Sequence, residues 1–139
     1  MKKILAIALL TTSSLVLAHH SPAVFYHMDQ EITMSGTVTE FRMGNPHIRV
    51  YFEKVNDAGE TEQWMAEGGS RTVLLRHGWS GDEVKAGDTI TVIGNPSREE
   101  KNIVHMKDIT FANGETRFAE DLNPDTTERL LQERRRRRD

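Results

Sequence analysis

No cysteine occurs anywhere in the 139 residues. That absence excludes disulfides, thiolate-bound zinc, iron–sulfur clusters and lipid attachment through a cleavage-site cysteine. Long hydrophobic runs are missing as well. The longest, Ile4 to Leu10, stops at Thr11-Thr12-Ser13-Ser14, whereas a bilayer-spanning helix needs about 20 apolar residues. There is no phosphate-cradling glycine loop or dinucleotide fingerprint. Ser21, Ser35, Ser70, Ser80 and Ser97 lack a nucleophile-elbow context. No second carboxylate stands at an informative spacing from Glu67 for a glycosidase-type pair. The chain therefore reads as a binding protein and not an enzyme, with a copper-dependent oxidative enzyme as the alternative.

Positive charge is scarce in the body of the chain. From His19 to Leu122 there are 10 basic and 17 acidic residues, a net charge of −7, whereas Asn123 to Asp139 carries +2. The body is a poor partner for polyanions, and no basic stripe is interleaved with aromatics, so nucleic acid is not an expected partner. The tail holds Arg134 to Arg138 in succession. Such a block is ordinarily solvated and disordered, with contact to an anionic surface as the alternative.

What is present begins with a leader. Lys2 and Lys3 form a positive n-region, Ile4 to Leu10 an apolar core, and Val16-Leu17-Ala18 a small-residue cleavage site, the pattern of a secretory signal peptide. Residues 1–18 are expected to be removed. The mature protein would be exported to the periplasm, with full secretion as the alternative, and would not span the membrane. Loss of Lys2 and Lys3 takes the net charge from −3 to −5.

The remaining 121 residues suffice for one core. Residues 19–31 have no clear period and read as an N-terminal arm. Residues 32–118 read as a barrel. Ile32, Met34, Val38 and Phe41 face inward on a first strand, with Gly36 marking a bulge or sharp bend. Gly44-Asn45-Pro46 makes a turn. Ile48, Val50 and Phe52 line a second strand, Asn56 to Glu60 closes a hairpin, and Thr61 to Gly68 forms a third strand. Ser70 caps a short helix that Gly78 stops. A turn at Ala86-Gly87-Asp88 leads into a fourth strand through Ile90, Val92 and Gly94. A fifth runs from Ile103 to Phe111, ending at a type I′ turn on Asn113-Gly114. Three strands, one short helix and two strands is the element order of a five-stranded OB-like β-barrel. Residues 119–139 read as a flexible tail.

The stretch from His19 to Glu53, with its His-His-Ser start, Gly-Thr-Val strand and Asn-Pro-His turn, is followed by EGGSRTVLLRHGW and VKAGDTITVIGNP. Together these blocks resemble the bacterial family known as domain of unknown function 6152, across about His19 to Phe118. Where such families show a Gly-Ser-Pro-Asn-like helix start, this chain has Gly69-Ser70-Arg71-Thr72. The resemblance implies a small exported β-domain and no particular activity.

Chemistry is most concentrated at the cleaved end. A free α-amine on His19 beside its own imidazole, joined by a second imidazole, forms the three-nitrogen set called a histidine brace, which suits Cu(II). His20 offers a second mode through the amine, its amide nitrogen and its ring. His47 is the best further ligand, because the loop between strands one and two lies at the binding face of an OB barrel. The candidate metal ligands are thus His19, His20 and His47, with copper as the expected ion. His27, His105 and Met106 are lesser candidates. The alternative is a metal-free OB module binding a peptide, an oligosaccharide or a protein partner. His47 on that alternative bonds a backbone carbonyl in its own turn. Trp64 and Trp79 read as packing anchors, His77 as partly buried, and Glu67 as an acid facing a cleft.

Overall fold

The computed structural model describes residues 21–119. The leader at 1–18, His19, His20 and the arginine run lie outside the described residues. A 3-10 turn, Pro22–Val24, opens the described chain. Then come β1 (Ile32–Arg42), β2 (Arg49–Val55), β3 (Thr61–Glu67), α1 (Arg71–Arg76), β4 (Thr89–Pro96), β5 (Ile103–Phe111) and β6 (Thr116–Phe118).

The strands lie in the order β3-β2-β1-β4-β5-β6, and β3 also pairs with β5. That last pairing is parallel, Met65 against Ile103 and Glu67 against His105, and it closes β1 to β5 into a barrel. Every other pairing is antiparallel. A long first strand shared between β2 and β4, a helix between β3 and β4, and parallel closure of β3 on β5 define an OB-like barrel. Closure removes the exposed edges that an open sheet would leave.

Alternation builds the core. Val50 and Phe52 of β2, Ile90 and Val92 of β4, and Val104, Met106 and Ile109 of β5 are buried, each contributing about 1.5–3 kcal/mol by leaving water. Six residues make α1 too short to stand alone. It is held by Ser70, whose Oγ accepts from Val73 N at 3.3 Å, and by Leu74, which is fully buried. Gly78 follows at φ +83° and ends it. Trp79 is a packing anchor: its ring lies between Phe41 and Phe111, and Nε1 donates to the Phe118 carbonyl at 3.0 Å.

Four local expectations change. The register of β1 against β2 breaks between Val38 and Glu40, so the bulge sits at Thr39. That extra residue is why inward positions shift from even numbers (Met34, Val38) to an odd one (Phe41). Gly36 keeps continuous register; it stands where a side chain would strike the Glu53 carbonyl and the Phe52 ring. The β5–β6 hairpin has only Gly114 at positive φ, +82°, with Phe111 N bonded to Glu115 O. It is a three-residue loop with a left-handed glycine, not a type I′ turn, and it adds a sixth strand to β5. His77 is exposed, because Leu74 and Trp79 take the inward face of this segment. Finally Ala119 is buried, not part of a free tail: its carbonyl accepts from Gly69 N at 2.5 Å and its N–H donates to Lys107 O.

Candidate functional site

The N-terminal arm folds back across the outer surface of the barrel where β3 meets β5. It is tied to the β4–β5 loop by a bridge between Tyr26 and Ser97. His27 N donates to Pro96 O, and Arg98 N donates to Phe25 O. The Arg98 guanidinium donates to the carbonyls of Ala23 and Tyr26 and meets His27 Nδ1 at 3.3 Å. The arm, the β1–β2 loop and the β4–β5 loop frame two adjoining concavities of about 430 and 400 Å³. Loops in these two positions form the usual ligand face of OB barrels.

Pro22, Pro46, His47 and His105 line both concavities. The larger adds Phe25, Tyr26, Met65 and Ile103 as apolar wall, with Glu67, Glu99 and Glu100 as its acids. The smaller adds Ser21, Gly68, Gly69 and Ser70. Ser21, covalently joined to His20, is therefore at the same concavity as His47.

His47 is half-buried just before β2, after an Asn45–Pro46 peptide that is cis. Its Nδ1 lies 3.0 Å from the Gly68 carbonyl oxygen. A carbonyl only accepts, so in the neutral ring Nδ1 carries the proton and Nε2 keeps the lone pair. This is the orientation a metal-binding histidine takes when a backbone carbonyl holds its other nitrogen. The metal-free alternative expected a carbonyl in the turn itself; the bond goes instead to Gly68, just past β3, and it is equally what a ligand would need.

Glu67 does face the cleft. Its carboxylate is held on both sides, by Arg49 Nε at 3.0 Å and by a long contact from the Tyr26 hydroxyl at 3.5 Å. Burial, followed by the adjacent Glu67 charge, pushes the Tyr26 hydroxyl from 10.0 up to about 12. His105, the Cα partner of Glu67, is buried beneath Tyr26, with ring centroids 5.2 Å apart. Tyr26 and Arg98 were invisible to periodicity, since neither the arm nor the β4–β5 loop has any; the long-range pairing alone brings them to the site. Of the three predicted ligands, His47 lines the cleft while His19 and His20 lie outside the described residues. Met106 points into the core and His27 is turned to Arg98. Among the described residues no group of three or more His, Asp or Glu side chains is arranged to hold a metal ion.

Over residues 7–105 the sequence matches a family of unknown function, DUF6152. The chain belongs to this family. The matched span of the DUF6152 family takes in His19, His20, His47 and His105. No curated protein matches the chain. Among solved structures, the mitochondrial single-stranded DNA binding protein Rim1 of S. cerevisiae is similar at 13% identity and a TM-score of 0.45. That match covers 60% of this chain and 93% of Rim1. The OB-like assignment of this DUF6152 domain rests on its own strand pairing.

Aromatic platforms for a polymer are few on the β2–β3 surface. Tyr51 is half-buried under the Arg42 guanidinium, 5.0 Å from its centroid. Trp64 stacks on Phe52, carries Lys54 Nζ at 5.9 Å and donates to Glu62 at 3.1 Å.

Proposed function

We propose that this chain is an exported binding protein, most simply periplasmic, whose cleavage after Ala18 creates a copper site from His19, His20 and His47. The observation that carries the reading is the His47 ring: its Nδ1–H is committed to Gly68 O, and the ring lines a concavity that Ser21 also lines. Ser21 is separated from His19 by one residue only, and two residues of chain span at most about 7 Å, which is the reach the reading requires. An amine and imidazoles are good donors to Cu(II) and suit its tetragonal geometry; when bound, the ion would contribute redox and ligand-exchange chemistry. The chain's own part is to present Nε2 of His47 and to shelter the site under the arm. The leader supports the assignment to an exported compartment. The net charge of −7 on the body speaks against nucleic acid as the ligand.

A metal-free reading has one observation in its favour. The larger concavity has apolar walls, and Phe25 at its rim is 53% exposed, as a peptide-binding groove would require.

The test is a Cu(II) titration of protein processed from its own leader, with intact mass recorded first. Tight one-to-one binding, with nitrogen hyperfine structure in the electron paramagnetic resonance spectrum, is expected. It should weaken on His47→Ala and on adding one residue before His19. Weak binding indifferent to both changes refutes the copper reading and leaves the apolar groove as the site.

A further inference from the structure

We infer that the larger concavity binds a small organic cation, an amine or guanidine carried on an apolar body. The inference rests on the second reading above, in which that concavity is a ligand groove, and it does not depend on the copper site.

The walls set the apolar part. Phe25 and Tyr26 from the arm meet Met65 of β3 and Ile103 of β5, the pair at which the two strands join. Tyr26 is buried, whereas Phe25 is exposed, so one aromatic ring of the wall is open to a ligand. The space of about 430 Å³ falls in the lower part of the range that small-molecule sites occupy, about 300–1,000 Å³. Backbone groups around it are already used. Met65 N donates to Asn102 O, Ser97 N to Ile103 O, and Arg98 N to Phe25 O. A peptide added as a strand needs such groups free, whereas a compact molecule does not.

Charge sets the other part. Glu67, Glu99 and Glu100 line the concavity, and among the described residues no Lys or Arg does. Arg49 is paired with Glu67. Arg98, next to Glu99 in the chain, donates instead to the carbonyls of Ala23 and Tyr26. Glu99 and Glu100 form no ion pair among the described residues. The charge of Glu100 reaches the interior: after burial and Glu67, it is a further cause of the raised pKa of the Tyr26 hydroxyl. Carboxylates beside an apolar wall focus a negative field in the space between them, and the face of the Phe25 ring adds attraction for a cation. That field repels an anion and gives a neutral molecule no advantage.

The test uses full-length protein processed from its own leader and freed of metal by a chelator, which keeps the result apart from the copper titration. It is titrated with tryptamine, its neutral alcohol tryptophol and the anion indole-3-propionate, which share one apolar body. Backbone amide shifts in magnetic resonance spectra report where each binds. Tryptamine is expected to shift Phe25, Ser97 and Ile103 and to bind about fivefold more tightly than tryptophol, the scale of an exposed ion pair. Indole-3-propionate should bind more weakly than either. The Glu99→Gln, Glu100→Gln double variant changes two exposed positions and should lose the preference for tryptamine while binding tryptophol as before. A preference that survives in this variant overturns the inference. Equal binding of tryptamine and tryptophol also overturns it and leaves the groove reading standing. The same holds if tryptamine fails to bind and a Phe-Lys-Phe tripeptide amide shifts those amides instead. If neither the indoles nor the tripeptide bind there, both the inference and the groove reading fall.

Discussion

The ring nitrogen Nδ1 of His47 and the carbonyl oxygen of Gly68 are 3.0 Å apart, and this contact joins the β1–β2 loop to the end of β3. Two backbone bonds brace it: Gly68 N donates to Ile48 O, and Ile48 N donates to Gly69 O. Gly68 itself is hemmed in by the Ala119 carbonyl and the Ile48 side chain, at 2.6 and 3.0 Å from where a Cβ would stand. The candidate ligand is therefore held by the frame of the barrel.

Replacing His47 separates binding from folding. His47→Ala removes one partly exposed hydrogen bond, worth about 1 kcal/mol, while taking away the oriented Nε2. Urea unfolding is expected to change little, and Cu(II) affinity by isothermal titration is expected to fall at least tenfold.

Gly36→Ala tests the tight crossing of β1 over β2. The added methyl would strike the Glu53 carbonyl and approach Phe52 Cδ2 to 2.7 Å. Backbone cannot yield as a side chain end can, so the loss of stability should be about 1–3 kcal/mol or more. Equilibrium denaturation reads it directly. Loss below about 0.5 kcal/mol would contradict this crossing, since that is the scale of an ordinary surface change.

Tyr26 makes stability depend on alkaline pH. Its folded hydroxyl titrates at about 12 instead of 10.0, because burial and the Glu67 charge disfavour the phenolate. The unfolded chain releases this proton first, so the stabilisation is complete below pH 10 and is lost as pH rises from 10 to 12. The loss amounts to about 1–3 kcal/mol. Tyr26→Phe should abolish that component, which thermal unfolding measured at pH 9 to 12 will show.

Glu83 acts at the acidic end. Burial alone would raise its pKa, but donors from Ser80 N at 2.5 Å and Gly81 N at 2.8 Å outweigh that and hold it below 4.5. Arg117 Nη1 also contacts it at 2.8 Å. The carboxylate therefore stabilises the fold above about pH 4.5, and that contribution is lost as pH falls through the lower folded value. Glu83→Gln should cost about 1–3 kcal/mol at neutral pH, with the gap from the unsubstituted protein narrowing in acid.

Much of the barrel was legible in the residues. Ile48, Val50 and Phe52 alternate because a strand shows every second side chain to the core, and Ser70 and Gly78 bracket α1 because short helices need capping. Gly36 was legible as a special position but not as the right kind. A close approach between strands and a bulge leave the same mark in sequence, a glycine among β-formers. The bulge at Thr39 left only a change of phase between Val38 and Phe41. Strand β6 escaped notice because Thr116 to Phe118 is too short to show a period and exists only by pairing with β5.

The site divides along the same line. From sequence alone come the expectation of a leader, the histidines that its cleavage would expose, the loop that carries His47 and the acidic balance of the body. These are local or compositional properties, and each is set by residues adjacent in the chain. Tertiary structure decided that the arm lies over β3 and β5, that Glu67 is clamped between Arg49 and Tyr26, and that His47 and His105 border the same two concavities. Those relationships join residues 18 to 75 positions apart. The Arg49–Glu67 pair follows from the pairing of β2 with β3, and the rest form only in the closed barrel, because no periodicity in a single segment records which distant surface it will meet.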